Sequence, residues 1–158
     1  MISLCCGLFL SLLDTSIVAT AIYSIGTDFD QLGSATWVAL AYTLSYVGCA
    51  VLFARLSDVT GRRTAYAGAF VIFIAFSIGC GFANSLEQLI ACRALQGIGG
   101  SGLYSLTMVI FPEISPPKML QLIGSMAGMV VAISGVLGPV LGGLITHYST
   151  WRWIFWMK

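Results

Sequence analysis

Residues 119–151 read MLQLIGSMAGMVVAISGVLGPVLGGLITHYSTW, a run of 33 positions without one charged side chain. An α-helix needs about 20 predominantly apolar residues to cross the hydrocarbon core of a bilayer, so this stretch is more than one span requires. Three further runs are charge-free: residues 31–54 over 24 positions, 64–86 over 23 and 94–112 over 19. The first 27 residues hold a single charge, Asp14, in the middle of an apolar stretch. The pattern predicts five membrane helices, at about 2–26, 32–54, 64–85, 88–111 and 119–146, and a truncated sixth from Trp151.

Composition leads to the same place. Of 158 residues, 58% are hydrophobic and 8% charged, and the mean hydropathy is +0.96. A soluble domain carries charge on roughly a quarter of its residues, about three times what is present. Only helices and closed barrels satisfy every backbone group in lipid. The runs are too long and too uniformly apolar for the alternating strands of a barrel. The expected fold class is therefore all-α, a polytopic transmembrane helical bundle spanning 1–158 without a domain boundary. A secretory signal fits the N-terminus badly, because no Lys or Arg precedes the apolar run and Asp14 interrupts it. The net charge of +1 gives no sign of an acidic partner, and no nucleic acid is expected.

Orientation is read from the loops. Arg55, Arg62, Arg63 and Lys118 fall on one side, and Asp28, Asp30, Glu87, His147 and Arg152 on the other. The positive-inside rule places the first set, and with it the N-terminus, in the cytoplasm. Trp37, Trp151, Trp153 and Trp156 then lie near the outer interface, as aromatic belts do. Pro112, Pro116 and Pro117 break the helix pattern after the fourth span. Cys5, Cys6, Cys49, Cys80 and Cys92 sit inside the spans without metal-ligand spacing and read as small packing residues. The glycines at 97, 99, 100 and 102 lie in an apolar helix with no Lys-Ser/Thr after them, which argues against phosphate binding. No catalytic set, metal cluster or cofactor motif is present, so no enzyme is expected.

Four local patterns remain. Arg55-Leu56-Ser57-Asp58-Val59-Thr60-Gly61-Arg62-Arg63 forms a turn in which Gly61 supplies backbone freedom and Asp58 can pair with Arg62. Its bland alternative is a solvated basic loop. Arg93 lies within the fourth span, with Gln96 and Gly97 on the same helical face. A guanidinium there should face a polar cavity or an acid, unless it snorkels to the interface near Glu87. Gly124, Gly128, Ala132, Gly135, Gly138-Pro139, Gly142 and Gly143 place small residues along the fifth helix, where another helix can approach closely. In Leu13-Asp14-Thr15-Ser16-Ile17-Val18 the carboxylate is the one acid at membrane depth, a natural proton-linked group or else a structural hydrogen-bonding one.

In this order and on these helices, the patterns resemble the major facilitator superfamily, and more narrowly its fungal-type drug:proton antiporters of the 14-helix branch. The resemblance covers the chain from about Leu12 to Trp156. The family's Gly-x-Leu-x-Asp-x-x-Gly-Arg-Arg/Lys is matched at Leu56, Asp58, Gly61, Arg62 and Arg63 and departs at Ala54 and Val59. Arg-x-x-Gln-Gly is matched at Arg93, Gln96 and Gly97, and Gly-Pro-x-x-Gly-Gly at Gly138, Pro139, Gly142 and Gly143. The first helix is similar at Leu13, Asp14, Ile17, Val18 and Ala21, with Ser16, Ala19 and Tyr23 departing, and Trp151–Trp156 is similar to the start of the sixth helix.

The resemblance implies the N-terminal half of a fold with two helical bundles that rock about a central site. Proton movement would drive expulsion of a hydrophobic or amphipathic small molecule. It assigns Asp14, Arg93 and Gln96 to proton coupling, and Arg55, Asp58, Gly61, Arg62 and Arg63 to a cytoplasmic gate. Gly135, Gly138, Pro139, Gly142 and Gly143 would form a close helix contact where the bundles meet. The implied partners are the lipid bilayer, protons and a small-molecule substrate, and the implied location is the plasma membrane. The chain ends inside the sixth helix, so the missing C-terminal bundle or another copy is needed for a full cavity. A non-transporting membrane remnant or association partner is the competing expectation.

Overall fold

Long uncharged runs leave the backbone no partner but itself in hydrocarbon, and helices are the local solution. The computed structural model describes residues 2–28, 32–114, 120–148 and 150–156. Its elements are α1 (Ile2–Asp28), α2 (Leu32–Thr60), α3 (Arg62–Gly81), α4 (Leu86–Ile114), α5 (Leu120–Tyr148) and a short α6 (Trp153–Trp156). The first five are each long and apolar enough to cross a membrane by length and composition. Asp30, Pro116, Pro117 and Lys118 lie outside the described residues.

The helices run past the ends that hydropathy predicts. α2 continues through Arg55–Thr60, where a loop is expected, because nothing in that stretch breaks a helix. The Ser57 and Thr60 hydroxyls donate to the Ala54 and Leu56 carbonyls, and the Gly61 amide donates to Ser57 O at 3.1 Å. Gly61 alone makes the turn, at φ 91 and ψ 143, a conformation that glycine adopts without strain. The connection from α3 to α4 is set by side chains. The Gln88 amide donates to Ser85 Oγ while Gln88 Oε1 accepts from the Asn84 amide, both at 3.3 Å. The Ser85 cap satisfies one donor that the helix start leaves open, and Gln88 ties the residue before the cap to the same turn.

α4 is the central element, packed most extensively on α2 and α3 and also touching α1, while α5 packs on α1. Its glycine run explains the closeness. A Cβ at Gly97 would lie 2.5 Å from the Tyr42 carbonyl oxygen of α2, and one at Gly99 would lie 2.6 Å from the Phe73 amide nitrogen of α3. Small residues let backbones meet where no hydrophobic effect draws helices together. Two apolar clusters result, one around Phe53, Phe73, Leu103 and Leu106, the other around Ile17, Ile25, Leu89 and Phe155.

The aromatic tail departs from a simple interfacial belt. Trp151 and Phe155 are 4% and 1% exposed, and Trp151 Nε1 donates to Asp28 Oδ2 at 2.7 Å. Trp153 and Trp156 remain about half exposed.

The packing predicts a contrast between two glycines. Gly99→Ala meets backbone, which cannot step aside, and is expected to cost ~1–3 kcal/mol. Gly128→Ala meets nothing within 4 Å and should hold or raise stability, since alanine is favoured over glycine in a helix interior by ~0.5–1 kcal/mol. Thermal unfolding of the purified chain in detergent checks this, and equal midpoints would exclude the close-contact account.

Candidate functional site

Asp14 sits in the middle of α1 and Arg93 two turns into α4. Arg93 lies about 10 Å in from the start of its helix, at a rise of roughly 1.5 Å per residue. They are 0% and 1% exposed, and Arg93 Nη1 donates to Asp14 Oδ2 at 2.6 Å. Arg93 therefore pairs inward rather than snorkelling. Gln96, one turn further along α4, donates from Nε2 to Asp14 Oδ1 at 3.4 Å and accepts a weak bond from Cys80 Sγ of α3 at 3.7 Å. Aromatic rings flank the guanidinium: its Cζ lies 4.6 Å from the Phe155 ring centroid and 5.6 Å from that of Tyr42. Among the described residues, Arg93 Nε and Nη2 and the Tyr42 hydroxyl have no hydrogen-bond partner.

A second charged cluster lies at the Gly61 turn. Arg62 Nε and Nη2 grip both carboxylate oxygens of Glu113, at 3.0 and 2.8 Å. Its Nη1 reaches Asp58 Oδ1 at 2.7 Å and Ser57 Oγ at 2.5 Å. One side chain thus ties together the end of α2, the start of α3 and the end of α4. The geometry is the bidentate fork that suits guanidinium and carboxylate. The cluster is solvent-accessible, so salt screens it and its contribution to stability is small. Arg55 and Arg63 are exposed.

The small-residue stripe of α5 is divided among surroundings. A Cβ at Gly138 would collide with Ser16, and one at Gly142 with the Thr20 hydroxyl. At Gly138 and Gly142 the close contact is thus made with α1, inside this bundle. Gly143, Gly124 and Gly128 have open space beside them. Pro139 is inside α5. Gly135 lines an open cavity of about 510 Å³ between α1, α2 and α5. Its wall is formed by Leu12, Thr15 and Ser16, by Tyr42, Thr43, Tyr46 and Val47, and by Val131, Ser134 and Gly135. Among the described residues, no lining side chain is charged. Tyr42 belongs both to this wall and to the surroundings of Arg93, so one ring separates the cavity from the ion pair.

Sequence reasoning names Asp14, Arg93 and Gln96 and the structure brings them together. It also names Asp58 and Arg62, which pair. It misses Glu113, Ser57, Tyr42 and Phe155. Glu113 could have been found, since it ends the fourth span on the same side as the basic turn. The aromatic residues carry no such signal among so many others.

A family model described as Major Facilitator Superfamily matches residues 4–157. The chain is 40% identical over 156 residues to the MFS-type transporter FPY5 of Fusarium mangiferae, covering 99% of this chain and 26% of that protein. It is 34% identical over 152 residues to Multidrug resistance protein 3 of Bacillus subtilis (strain 168), covering 96% of this chain and 30% of that one. The same identity over the same length holds for the Multidrug transporter protein MdtP of that organism, with 28% of it covered. The chain thus spans between a quarter and a third of the length of these relatives. With five apolar helices and a buried ion pair between two of them, it is an integral, multi-pass membrane protein and belongs to the Major Facilitator Superfamily, a family of transporters rather than enzymes.

Proposed function

We propose that the chain is the N-terminal bundle of a proton-coupled antiporter of the 14-helix branch, expelling small hydrophobic or amphipathic molecules by alternating access. The observation that carries this reading is the fully buried Asp14–Arg93 pair behind the wall of an uncharged cavity. A proton arriving at Asp14 cancels the charge that holds Arg93. Removing one partner of a buried pair typically costs ~3–5 kcal/mol, enough to shift the balance between two helix arrangements. Protonation and the α1–α4 contact are then a single equilibrium.

The cavity supports the substrate class. Leu12, Val47 and Val131 offer apolar surface, Tyr42 and Tyr46 offer ring faces, and the hydroxyls of Thr15, Ser16, Thr43 and Ser134 offer isolated anchors. An uncharged wall of this kind favours apolar molecules with a few polar groups over multiply charged ones. The names of the two Bacillus relatives point the same way. Among the described residues the cavity is lined by three helices, and in this reading a second bundle or another copy supplies the facing wall. The positive-inside rule puts the Gly61 end, and the gate built on Arg62, in the cytoplasm of a cell whose plasma membrane carries the protein.

Efflux of a fluorescent cation against a proton gradient tests the reading, in vesicles bearing the chain alone and the chain extended by its downstream coding sequence. Transport by the extended form alone is the expected result. Transport by neither form removes the reading, and transport by the short chain alone replaces the two-bundle mechanism with an oligomeric one.

Three outcomes are expected of variants. Asp14→Asn and Arg93→Gln should each lower stability by ~3–5 kcal/mol, and the double variant by clearly less than their sum. Strict additivity in chemical unfolding would deny the pair. In the transporting form, Asp14→Asn should abolish the pH dependence of efflux, and a pH profile and rate equal to the parent's would sink the coupling role. Glu113→Gln should slow transport several-fold while leaving the unfolding midpoint nearly unchanged, because the cluster is exposed. A lowered midpoint with normal transport would make it a structural tie.

A further inference from the structure

We propose that Phe155 is a positioning residue that holds the Arg93 guanidinium on Asp14. The inference rests on the reading of Asp14 and Arg93 as the coupling pair, and its test is chosen to separate the two.

The argument begins with the guanidinium. Of its donors, Nη1 is bonded to Asp14, while Nε and Nη2 have no hydrogen-bond partner among the described residues. A planar cation anchored through one nitrogen can swing about that bond unless something fixes its plane. Among the described residues, the groups around it include Asp14 of α1, Tyr42 of α2, Cys80 of α3, Gln96 of α4 and Phe155 of α6. Of the two rings, Phe155 is the nearer, with its centroid 4.6 Å from Cζ against 5.6 Å for Tyr42. A ring face carries negative potential, which attracts a cation most strongly where water is excluded. Phe155 is 1% exposed, so the condition is met.

The ring is itself fixed from several directions. The Ser77 hydroxyl of α3 donates to the Phe155 carbonyl at 3.1 Å in a buried bond. Trp151 meets the Phe155 ring edge-on, with centroids 5.9 Å apart and planes at 87°, and is tied to Asp28 at the end of α1. Arg152 Nη2 donates to the Ala83 carbonyl at 3.4 Å. The Trp156 indole occupies the space that a Cβ at Gly81 would need. Trp151–Trp156 is thus a latch across the ends of α1 and α3, with one ring reaching in to the ion pair. A displacement of those helix ends moves Phe155 and, through it, the guanidinium.

A core-filling phenylalanine would be replaceable by any side chain of similar size, whereas a positioning ring would not. The test is the infrared carboxylate band of Asp14 in the purified chain in lipid nanodiscs, isolated as the difference from Asp14→Asn. Phe155→Leu keeps apolar bulk and removes the ring face, and should shift the band. Phe155→Trp restores a ring face and should return the band toward the parent position. Pentafluorophenylalanine at position 155 keeps the shape and inverts the ring's potential, so it decides the matter if Phe155→Leu does not fold. A shift with leucine or with the fluorinated ring, and its reversal with tryptophan, supports the proposal. An unchanged band in a folded Phe155→Leu or fluorinated protein overturns it. The pH response of the parent band is read separately. If Asp14 does not titrate, the coupling reading fails, while the band comparison still decides the role of Phe155.

Discussion

A guanidinium enclosed by five helices has no water to retreat to, and the architecture follows from that constraint. Arg93 must find its countercharge within the protein, which fixes α4 against α1 at the level of Asp14. An ion pair in such a place is not retained for stability, since well-packed apolar residues often do as well. Under the proposed coupling, what it provides is a contact that exists in one protonation state and is lost in the other. The aromatic faces of Tyr42 and Phe155 complete the enclosure without adding a second acid.

The pair could not be enclosed if the helices stood at ordinary distance. Gly97 and Gly99 bring α4 into backbone contact with α2 and α3, and Gly138 and Gly142 bring α5 onto α1. Close approach on three sides of the α1–α4 pair excludes solvent and leaves the charges facing each other. The cavity forms where this tight packing ends, between α1, α2 and α5, with Tyr42 as the partition. Dry core and open cavity are therefore two consequences of where the small residues fall.

Much of this was legible in the sequence, and the remainder fails for definite reasons. Uncharged runs locate the five helices because membrane depth imposes a length, but they do not locate helix ends. Polar residues such as those from Arg55 to Thr60 continue a helix when nothing breaks it. The i, i+4 spacing of Asp58 and Arg62 is local, and so it can be read. The pairing of Asp14 with Arg93, 79 residues apart, is not local, and the sequence shows two costly charges without showing that they meet. Glu113 is hidden for the same reason, 51 residues from Arg62. The glycine run of α4 looked less informative than the stripe of α5, yet it makes the closest backbone contacts. Small residues mark where an approach is allowed and do not name the partner.

One helix carries a member of each charged cluster. Arg93 and Glu113 both belong to α4, 20 residues apart, which is about 30 Å along the axis. α4 continues through Pro112, where the sequence predicts a break, so a continuous helix links the two levels, with one backbone donor missing next to Glu113. Its polar partners at the two levels differ: Asp14 of α1 at one, and Arg62 at the start of α3 at the other. Any event that moves α4 relative to α1 must strain the Arg62–Glu113 fork or carry α3 along with it. The extensive packing of α3 on α4 favours the second course. α3 also bears Ser77 and Gly81, which hold the aromatic latch over Arg93. The contacts close into a loop, running from the ion pair along α4 to the fork, back along α3 to the latch, and through Phe155 to the ion pair again.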